Sequence, residues 1–468
     1  MKLTIFPSDE GDCLLVTGKD GKRILADGGK HHSFDESVAP ALSALGTGKG
    51  NKKIDVVYVS HIDADHIEGI LKLMDDAVAW AIHDHHIGKK NKNHKAPKVP
   101  RPPEISDIWH NGFGDVLKNI AGPIEDQLAA NARVLSAVAS SSPLRAAVDE
   151  HQNLAASVRQ AVQLGRRIAD GVLGIPLNRP ARGKLMMVRP KSKAIIRVGG
   201  MRVRVLAPFR EDIEDLRKEW KDWLLATKNK NDIAAIRAKA KKQHDELTSS
   251  SEAAFFISPL RTEGDVFAAE LVASMDALQD LAMKVNPLKK KIGKRSTVTT
   301  PNLASLMLHV TEGGKTLLLT GDGHADEVLK GLKHHGLLSA AGGIHVDVLK
   351  VQHHGAEYNM TDEFAKAVTA EHYIFCGNGF SENPEQVVIQ RLFDSRLGPA
   401  GKISPNPQVG RPFTFWFNCS SKVPQTSAKQ KKHMAAVEKL VAGLKKKSKK
   451  RMTVNFLGPG SGALTIGV

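Results

Sequence analysis

The sequence predicts an α/β protein, a four-layer αβ/βα sandwich in which two mixed sheets face each other. The prediction rests on a pattern that occurs three times along the 468 residues, at 54–66, 316–322 and 346–354. Each time, an apolar run typical of a buried strand is followed directly by a turn that carries histidine or aspartate. We expect the three turns to meet at one edge, between the two sheets.

The first of these turns is the densest in polar groups. Residues 60–66 read Ser-His-Ile-Asp-Ala-Asp-His, with two histidines and two aspartates within six consecutive residues. The strand-like run 54–59 precedes them, and residues 67–74 have helical spacing. Imidazole nitrogen and carboxylate oxygen suit zinc, manganese or iron, and an aspartate can bridge two ions. The predicted metal ligands here are therefore His61, Asp63, Asp65 and His66; the alternative interpretation is a solvated polar loop.

The other two turns add further candidate ligands. Asp322 follows the predicted strand 316–320, and an aspartate fixed just past a buried strand is well placed to reach a metal. The predicted strand 346–351 is followed by Gln352, His353, His354 and Gly355. We expect one of these two histidines to be a ligand, with His353 favoured over His354.

These motifs resemble a known family. The run Ser-His-x-Asp-x-Asp-His, with Gly69 three residues on, resembles the His-x-His-x-Asp-His metal signature of the metallo-β-lactamase superfamily. Asp63 replaces the second histidine, and its harder, anionic carboxylate favours manganese or magnesium more than a histidine would. Three further features resemble the branch that contains the metallo-β-lactamase-like domain of the bacterial DNA-uptake channel protein: Gly11-Asp12, Asp27-Gly28-Gly29 and His353-His354-Gly355. The resemblance covers roughly residues 1–115 and 195–420, with gaps.

The resemblance implies a hydrolase with two divalent metal ions, zinc or manganese, with magnesium as an alternative. One ion would be held by His61, Asp63 and Asp322, and the other by Asp65, His66, Asp322 and His353. In this scheme Asp322 and Asp65 are the catalytic carboxylates, because Asp322 bridges the ions and Asp65 accepts a proton. Two ions roughly 3.5–4 Å apart activate water and polarise an ester or phosphoryl oxygen.

Four more side chains are assigned to the surroundings of the site. Asp27 either orients a ligand histidine or only caps a turn. His110, beside Trp109, is expected to approach the site. Asn302 stands where other members of the family supply a third metal histidine, and Asn383 stands where many relatives have the histidine of a His-Pro pair.

The remaining sequence predicts insertions and a basic terminal region. The predicted metallo-β-lactamase-like core comprises residues 1–116 and 195–425, with a helical insertion near 209–300. Residues 117–194 form a second helical insertion, placed to act as a lid, and residues 426–468 supply a basic helix and a terminal strand packed on the core. The His-, Lys- and Pro-rich stretch 84–103 predicts a loop, in which His85 and His86 are not expected to bind metal.

Charge points to a polyanionic partner. Lysine and arginine number 67 against 50 acidic residues, a net charge of +17, and this excess favours nucleic acid. The helix predicted at 429–451 concentrates lysines opposite an apolar stripe formed by Met434, Val437, Leu440, Val441 and Leu444. A merely solvated basic surface is the alternative.

No apolar run is long enough to span a bilayer, the start resembles no signal peptide, and three scattered cysteines suggest no disulfide framework, so we expect a cytoplasmic protein.

Three hypotheses for function follow. The leading one is a metal-dependent phosphodiesterase or nuclease acting on nucleic acid or nucleotides. The second is a hydrolase of small esters, lactones or amides. The third is a binding or scaffold module with a decayed site, favoured by Asp63, Asn302 and Asn383.

The aromatic run 413–417 predicts a core strand rather than a base-stacking surface.

Overall fold

The computed structural model describes residues 1–45, 53–90, 94–111, 160, 163–165, 167–214, 304–423 and 427–468. The chain divides into two compact units, of which the first comprises Met1–Gly112, Gln163–Leu216 and Lys291–Val468. The second unit, Phe113–Val162 with Arg217–Lys290, lies outside the described residues except for Gln160. The helices predicted within 117–162 and 215–250, the loop predicted at 284–300 and Asn302 therefore lie outside the described residues, apart from Gln160.

The described residues form a mixed α/β structure. Its strands, in chain order, are β1 (Lys2–Ile5), β2 (Leu14–Thr17), β3 (Arg23–Ala26), β4 (Lys53–Ile54), β5 (Val56–Val59), β6 (Glu104–Ile105), β7 (Ile108–His110), β8 (Ile196–Val198), β9 (Met201–Ala207), β10 (Met307–Glu312), β11 (Lys315–Leu319), β12 (Ile344–Lys350), β13 (Val368–Phe375), β14 (Phe413–Phe417), β15 (Met452–Phe456) and β16 (Leu464–Gly467). The longer helices are α1 (Ala64–Gly88), α2 (Ala325–His334), α3 (Asp362–Ala367), α4 (Gln386–Leu397) and α5 (Ala428–Lys447). Short helical turns also cover residues 31–43.

The strands form two large sheets. The first has the order β16-β1-β2-β3-β5-β7, with antiparallel pairs up to β3 and parallel pairs from β3 to β7. The second has the order β15-β14-β13-β12-β11-β10-β9-β8, parallel from β15 to β11 and antiparallel from β11 to β8. The short strands β4 and β6 pair separately.

Three apolar clusters account for the packing of these elements. The central cluster combines residues of both sheets, such as Leu3 and Val56 of the first with Leu317 and Val348 of the second. A second cluster packs the first sheet against α1 and the helical turns at 31–43. A third packs the second sheet against α2, α3, α4 and α5. Successive residues of β11 show the alternation that this requires, since Leu317 and Leu319 belong to the central cluster and Leu318 to the third.

The aromatic strand β14 lies in this core. Phe413, Phe415 and Phe417 are buried and pack on aromatic neighbours such as Tyr373 and Phe375. The prediction of a core strand is confirmed, and those three rings are not available for base stacking.

Three expectations about local structure are wrong. Residues 84–88 are not a loop but the last turns of α1, which therefore carries His85 and His86. The basic helix ends at Lys447 rather than Arg451, because Ser448 Oγ bonds the Lys445 carbonyl and the chain must enter β15 at Met452. From 171 to 195 the chain is irregular apart from one short turn at Arg179–Ala181, not helical.

Within the described residues, no helix combines the length and the apolar character needed to cross a membrane.

Candidate metal centre

Polar side chains that follow four strands meet in one place. The turns concerned carry Asp27 after β3, residues 61–66 after β5, Asp322 after β11, and His353 with His354 after β12. β3 and β5 are parallel neighbours in one sheet, as are β11 and β12 in the other, so the turns within each sheet leave it side by side. A backbone hydrogen bond of 2.8 Å from Leu306 N–H to the Ser60 carbonyl links the two sheets here.

Four side chains from three of these turns converge on one point, and we call them the quartet: Asp65, His66, Asp322 and His354. The Nε2 atoms of His66 and His354 are 3.3 Å apart. Asp322 Oδ2 lies 3.3 and 3.2 Å from these two nitrogens, and Asp65 Oδ2 lies 3.5 and 3.0 Å from them. Ligand atoms around a tetrahedral zinc ion are about 3.3–3.4 Å apart, because each bond is about 2.0–2.1 Å long. Five of the six pairs within the quartet thus have nearly the spacing of a tetrahedral ligand set.

The outward ring nitrogens of both histidines of the quartet meet carboxylates. His66 Nδ1 lies 3.1 Å from Asp27 Oδ2, and His354 Nδ1 lies 3.1 Å from Asp12 Oδ1. Asp27 is itself held by the Ser60 backbone N–H, which donates to Oδ1 at 2.7 Å. A carboxylate on Nδ1 fixes the ring and leaves Nε2 to face the quartet, which is the usual support of a metal-binding histidine. Of the two roles expected for Asp27, the contact with His66 fits the orienting one.

Asp12 and Lys350 were not assigned to the site from the sequence. The Lys350 amine forms an ion pair with Asp12, donates to the Gly321 carbonyl at 3.0 Å and lies 3.6 Å from Asp322 Oδ1. Burial disfavours both charged forms, but the pairing outweighs it, so the pKa of Lys350 is raised and that of Asp12 is lowered to about 2. A lysine at the end of the apolar run Val348-Leu349 was the available signal, because a buried cation needs an acidic partner.

Two carboxylates of this region compete for a place beside the histidines. Asp12, His66, Asp322 and His354 are all buried and lie close enough together to hold a metal ion. Asp12, however, contacts the Nδ1 side of His354 and is already paired with Lys350, whereas Asp65 contacts Nε2. Asp65, and not Asp12, therefore faces the Nε2 atoms of both histidines.

The other predicted ligands surround the same aspartate. His61 Nε2 lies 3.4 Å from Asp63 Oδ2 and 3.8 Å from Asp322 Oδ2. His353 Nε2 lies 3.5 Å from Asp322 Oδ2, and its Nδ1 lies 2.8 Å from Asn359 Oδ1. Asp322 Oδ2 is thus within 3.8 Å of four imidazole nitrogens. His353 has a partly exposed side chain, whereas His354 is buried, so the structure places the less favoured of the two histidines in the quartet.

Charge interactions reinforce this geometry. Burial opposes ionisation of every member of the quartet, but attraction between rings and carboxylates outweighs it. The pKa values of His66 and His354 are therefore raised, and those of Asp65 and Asp322 are lowered. Protons and a metal ion would compete for the same imidazole nitrogens.

The backbone at the site is strained. Asp27, His353 and His354 have φ values of 57°, 45° and 54°, in the left-handed region that most residues avoid. Such conformations cost about 1–3 kcal/mol each and cluster at functional sites. Gly11 is required for a different reason, because a Cβ atom there would lie 1.6 Å from the Asp65 carbonyl oxygen. The glycine lets the segment that carries Asp12 approach the turn that carries Asp65.

The remaining candidates lie at the margin. His110 is buried on β7, where burial, with a smaller contribution from His61, lowers its pKa to about 4. Its backbone N–H donates to Asn178 Oδ1 at 2.9 Å. Asn383 is buried next to the quartet's turn, since Pro384 packs closely on Gly355. His85 and His86 are on α1, away from the quartet's turns in sequence and paired ring to ring.

No protein-family model matches the chain, and no curated protein matches it.

Proposed function

We propose that the protein is a metal-dependent hydrolase of the metallo-β-lactamase type that cleaves phosphodiesters in nucleic acid. The observation that carries the proposal is the spacing of the quartet, whose members come from turns of both sheets and lie 3.0–3.5 Å apart in five of the six pairs. The family's four-layer αβ/βα sandwich is part of the same proposal. It is supported by one apolar cluster between the sheets and one on the outer side of each.

The quartet would hold one ion, with His354 rather than His353 as the last ligand. His61 and Asp63 would hold a second ion and share Asp322 with the first, because Asp322 Oδ2 lies within reach of both groups. His61, Asp63 and Asp322 are the three residues that would hold this second ion.

The charge of the site supports two divalent ions. Five carboxylates line it, and Lys350 is the cation paired with two of them. With neutral histidines, five negative charges and one positive charge leave four negative charges, which two divalent cations would balance. The five carboxylates are Asp12, Asp27, Asp63, Asp65 and Asp322.

Bound divalent ions would activate water and stabilise the charge that develops on phosphoryl oxygens. The protein's own groups have distinct tasks in this scheme. Asp27 and Asp12 keep the Nε2 atoms of His66 and His354 turned inward. Lys350 keeps Asp12 ionised. Asp65 has a side chain that is 24% exposed against 3% for Asp322, so it is the carboxylate of the quartet that solvent reaches, and it would take the proton in this scheme.

The choice of nucleic acid rests on charge. The net charge of +17 favours polyanions, and α5 presents its lysines to solvent while Met434, Val437, Val441 and Leu444 are buried. Such a surface binds phosphates through counterion release.

Metal analysis combined with an activity screen tests the proposal. The purified protein should contain zinc or manganese, and with zinc, manganese or magnesium it should cleave single- or double-stranded DNA or RNA and lose that activity to a chelator. Hydrolysis of lactones or esters without any phosphodiesterase activity would replace the proposal by the small-molecule hydrolase. A protein that purifies without metal and is indifferent to chelators would instead fit the decayed binding module.

A further inference from the structure

One exposed aromatic side chain lies on a loop that packs against the turn carrying His354. Phe380 is 54% exposed, and it is the only aromatic among the large hydrophobic side chains that the described part of the chain leaves exposed. An exposed phenylalanine loses the favourable burial that its ring would gain in the core. A ligand that covers the ring would recover that gain.

Phe380 belongs to a tightly held loop, residues 377–384, which we call the platform loop. The Gly379 N–H donates to the Asn383 carbonyl at 2.9 Å, and the Asn383 N–H donates to the Phe380 carbonyl at 3.0 Å. The Phe380 N–H donates to Asn378 Oδ1 at 3.1 Å. The backbone that presents the ring is thus fixed, so little ordering entropy would be lost when a ligand stacks on it.

Both ends of the platform loop pack against the turn that carries His354. A Cβ atom on Gly377 would lie 3.4 Å from the His354 Cβ, and a Cβ atom on Gly355 would lie 2.8 Å from the Pro384 Cβ. The loop is therefore packed against the turn that carries His354.

The other side of the loop rests on the first turns of α5. Gln430 Nε2 donates to Asn378 Oδ1 at 3.2 Å, His433 Nε2 lies 3.0 Å from the Pro384 carbonyl oxygen, and Lys429 pairs with Glu382 at 3.1 Å. This pairing neutralises the one acidic side chain of the loop. The loop that carries the exposed ring thus lies between the turn that carries His354 and the first turns of α5.

We propose that Phe380 is a stacking platform for an unpaired nucleobase and that the substrate is single-stranded nucleic acid. The proposal rests on the proposed function, because it assigns the polymer that the same centre acts on. Proteins bind single strands by combining a cationic surface for the backbone with aromatic rings on which bases stack. A duplex keeps its base faces stacked on one another, so it offers none to Phe380 without unpairing.

The test compares the full chain with Phe380→Ala, Phe380→Trp and Val387→Ala. Val387 supplies the matched control, because it is an exposed apolar residue on α4, outside the platform loop. Affinities would be measured by fluorescence anisotropy for a single-stranded oligonucleotide, the same strand with abasic sites, and a duplex, over a range of salt. Circular dichroism would confirm that each variant is folded.

Phe380→Ala should weaken binding of the single strand about 5- to 150-fold, the factor that corresponds to about 1–3 kcal/mol per stacked base. Phe380→Trp and Val387→Ala should bind it at least as well as the parent does. The abasic strand and the duplex should not distinguish Phe380→Ala from the parent, and the salt slope should not change, because no charge is removed.

Equal affinity of the parent and Phe380→Ala for the single strand would overturn the proposal. So would an equal loss on the abasic strand, which would indicate an apolar contact that needs no base, and so would a parent that binds no oligonucleotide. Hydrolysis of a small chromogenic phosphodiester is a separate readout of the centre. Its absence with every metal would overturn the proposed catalysis, while a base-dependent effect of Phe380→Ala on binding would still support the platform.

Discussion

Lys350 and Asp12 form a buried ion pair that joins the two sheets, since Lys350 ends β12 and Asp12 precedes β2. Removing the lysine would leave Asp12 as a buried charge without the cation that does most to lower its pKa. We expect Lys350→Met to lower the free energy of unfolding by about 3–5 kcal/mol, as is usual when one partner of a buried pair is removed. Urea denaturation with a chelator present would measure the loss without a contribution from metal binding. Lys315→Met is the control, because the Lys315–Asp347 pair is more exposed and should contribute at most about 1 kcal/mol to the free energy of unfolding. Equal losses in the two variants would contradict the importance of burial here.

Asp322 should matter most for metal content. Its Oδ2 atom is within 3.8 Å of the Nε2 atoms of four histidines, so every proposed ligand group depends on it. Asp322→Ala should therefore reduce bound metal to background in elemental analysis and abolish chelator-sensitive activity. His85→Ala, a change on the exposed end of α1, should retain both. A full complement of metal in Asp322→Ala would contradict the proposed ligand set.

Asp27 should act on metal affinity without binding the metal. Asp27→Asn keeps the size of the side chain but removes the charge that faces His66 Nδ1. We expect a weakening of zinc affinity of about 10- to 100-fold, the usual effect of losing such a supporting carboxylate. Competition against a chromogenic chelator would measure it, with Asp20→Asn, an exposed turn residue, as the control. Unchanged affinity in Asp27→Asn would reduce Asp27 to a turn cap.

Lysines at the end of α5 should set the salt dependence of nucleic-acid binding. The variant replaces five exposed lysines with glutamine: Lys445, Lys446, Lys447, Lys449 and Lys450. For every phosphate that the variant no longer neutralises, the slope of log affinity against log salt should fall by about 0.7 on a single strand. Turnover of a small phosphodiester should stay as in the parent, because the quartet is untouched.

A second set of exposed lysines tests whether position matters: Lys89, Lys90, Lys95, Lys98 and Lys184. Replacing these with glutamine removes the same charge and should change the slope less. Equal slopes for the two variants would mean that overall charge, not the end of α5, governs binding.

His309 should make stability depend on pH. Burial, followed by Arg204 and His335, lowers its pKa to about 4, compared with about 6.5 in an unfolded chain. Between these values the unfolded chain takes up a proton that the folded protein does not, so stability falls as the pH falls from 6.5 towards 4 and its loss levels off below 4. The contribution is at most about 1.4 kcal/mol per pH unit.

His309→Leu should remove this contribution. The difference in unfolding free energy between the variant and the parent should grow in favour of the variant as the pH falls from 6.5 to 4. Urea titrations at several pH values would measure it. Parallel curves across that range would show that His309 is not the group responsible.

The strand-and-turn pattern was predictable because the ligand types lie next to periodic apolar runs. The consecutive residues of β5, the 60–66 turn and α1 predict these elements in their observed order. The pairing of Asp12 with His354 is not, because 342 positions separate them and only the docked sheets bring them together. The choice between His353 and His354 was also beyond the sequence. His353 and His354 have the same side chain, so the backbone conformation of the turn determines which ring faces the quartet. Their φ values of 45° and 54° lie in the left-handed region, which the sequence does not predict.

Predictions made from composition were wrong at two helix ends. The histidines and lysines near 84–90 are typical of loops, yet α1 continues through Gly88 because extending an existing helix costs little once it is nucleated. At the other end of the chain the lysine run favoured a longer helix, but pairing of β15 with β14 requires the chain to leave α5 after Lys447.

Because the quartet draws Asp65 and His66 from one sheet and Asp322 and His354 from the other, its geometry exists only after the two sheets have docked. An ion that binds this arrangement and not the unfolded chain would bind only after the sheets have docked, and it would stabilise the docked state. At a free concentration of one hundred times its dissociation constant, such an ion would raise the free energy of unfolding by about 2.7 kcal/mol. The supply of metal would then change the fraction of the chain that is folded.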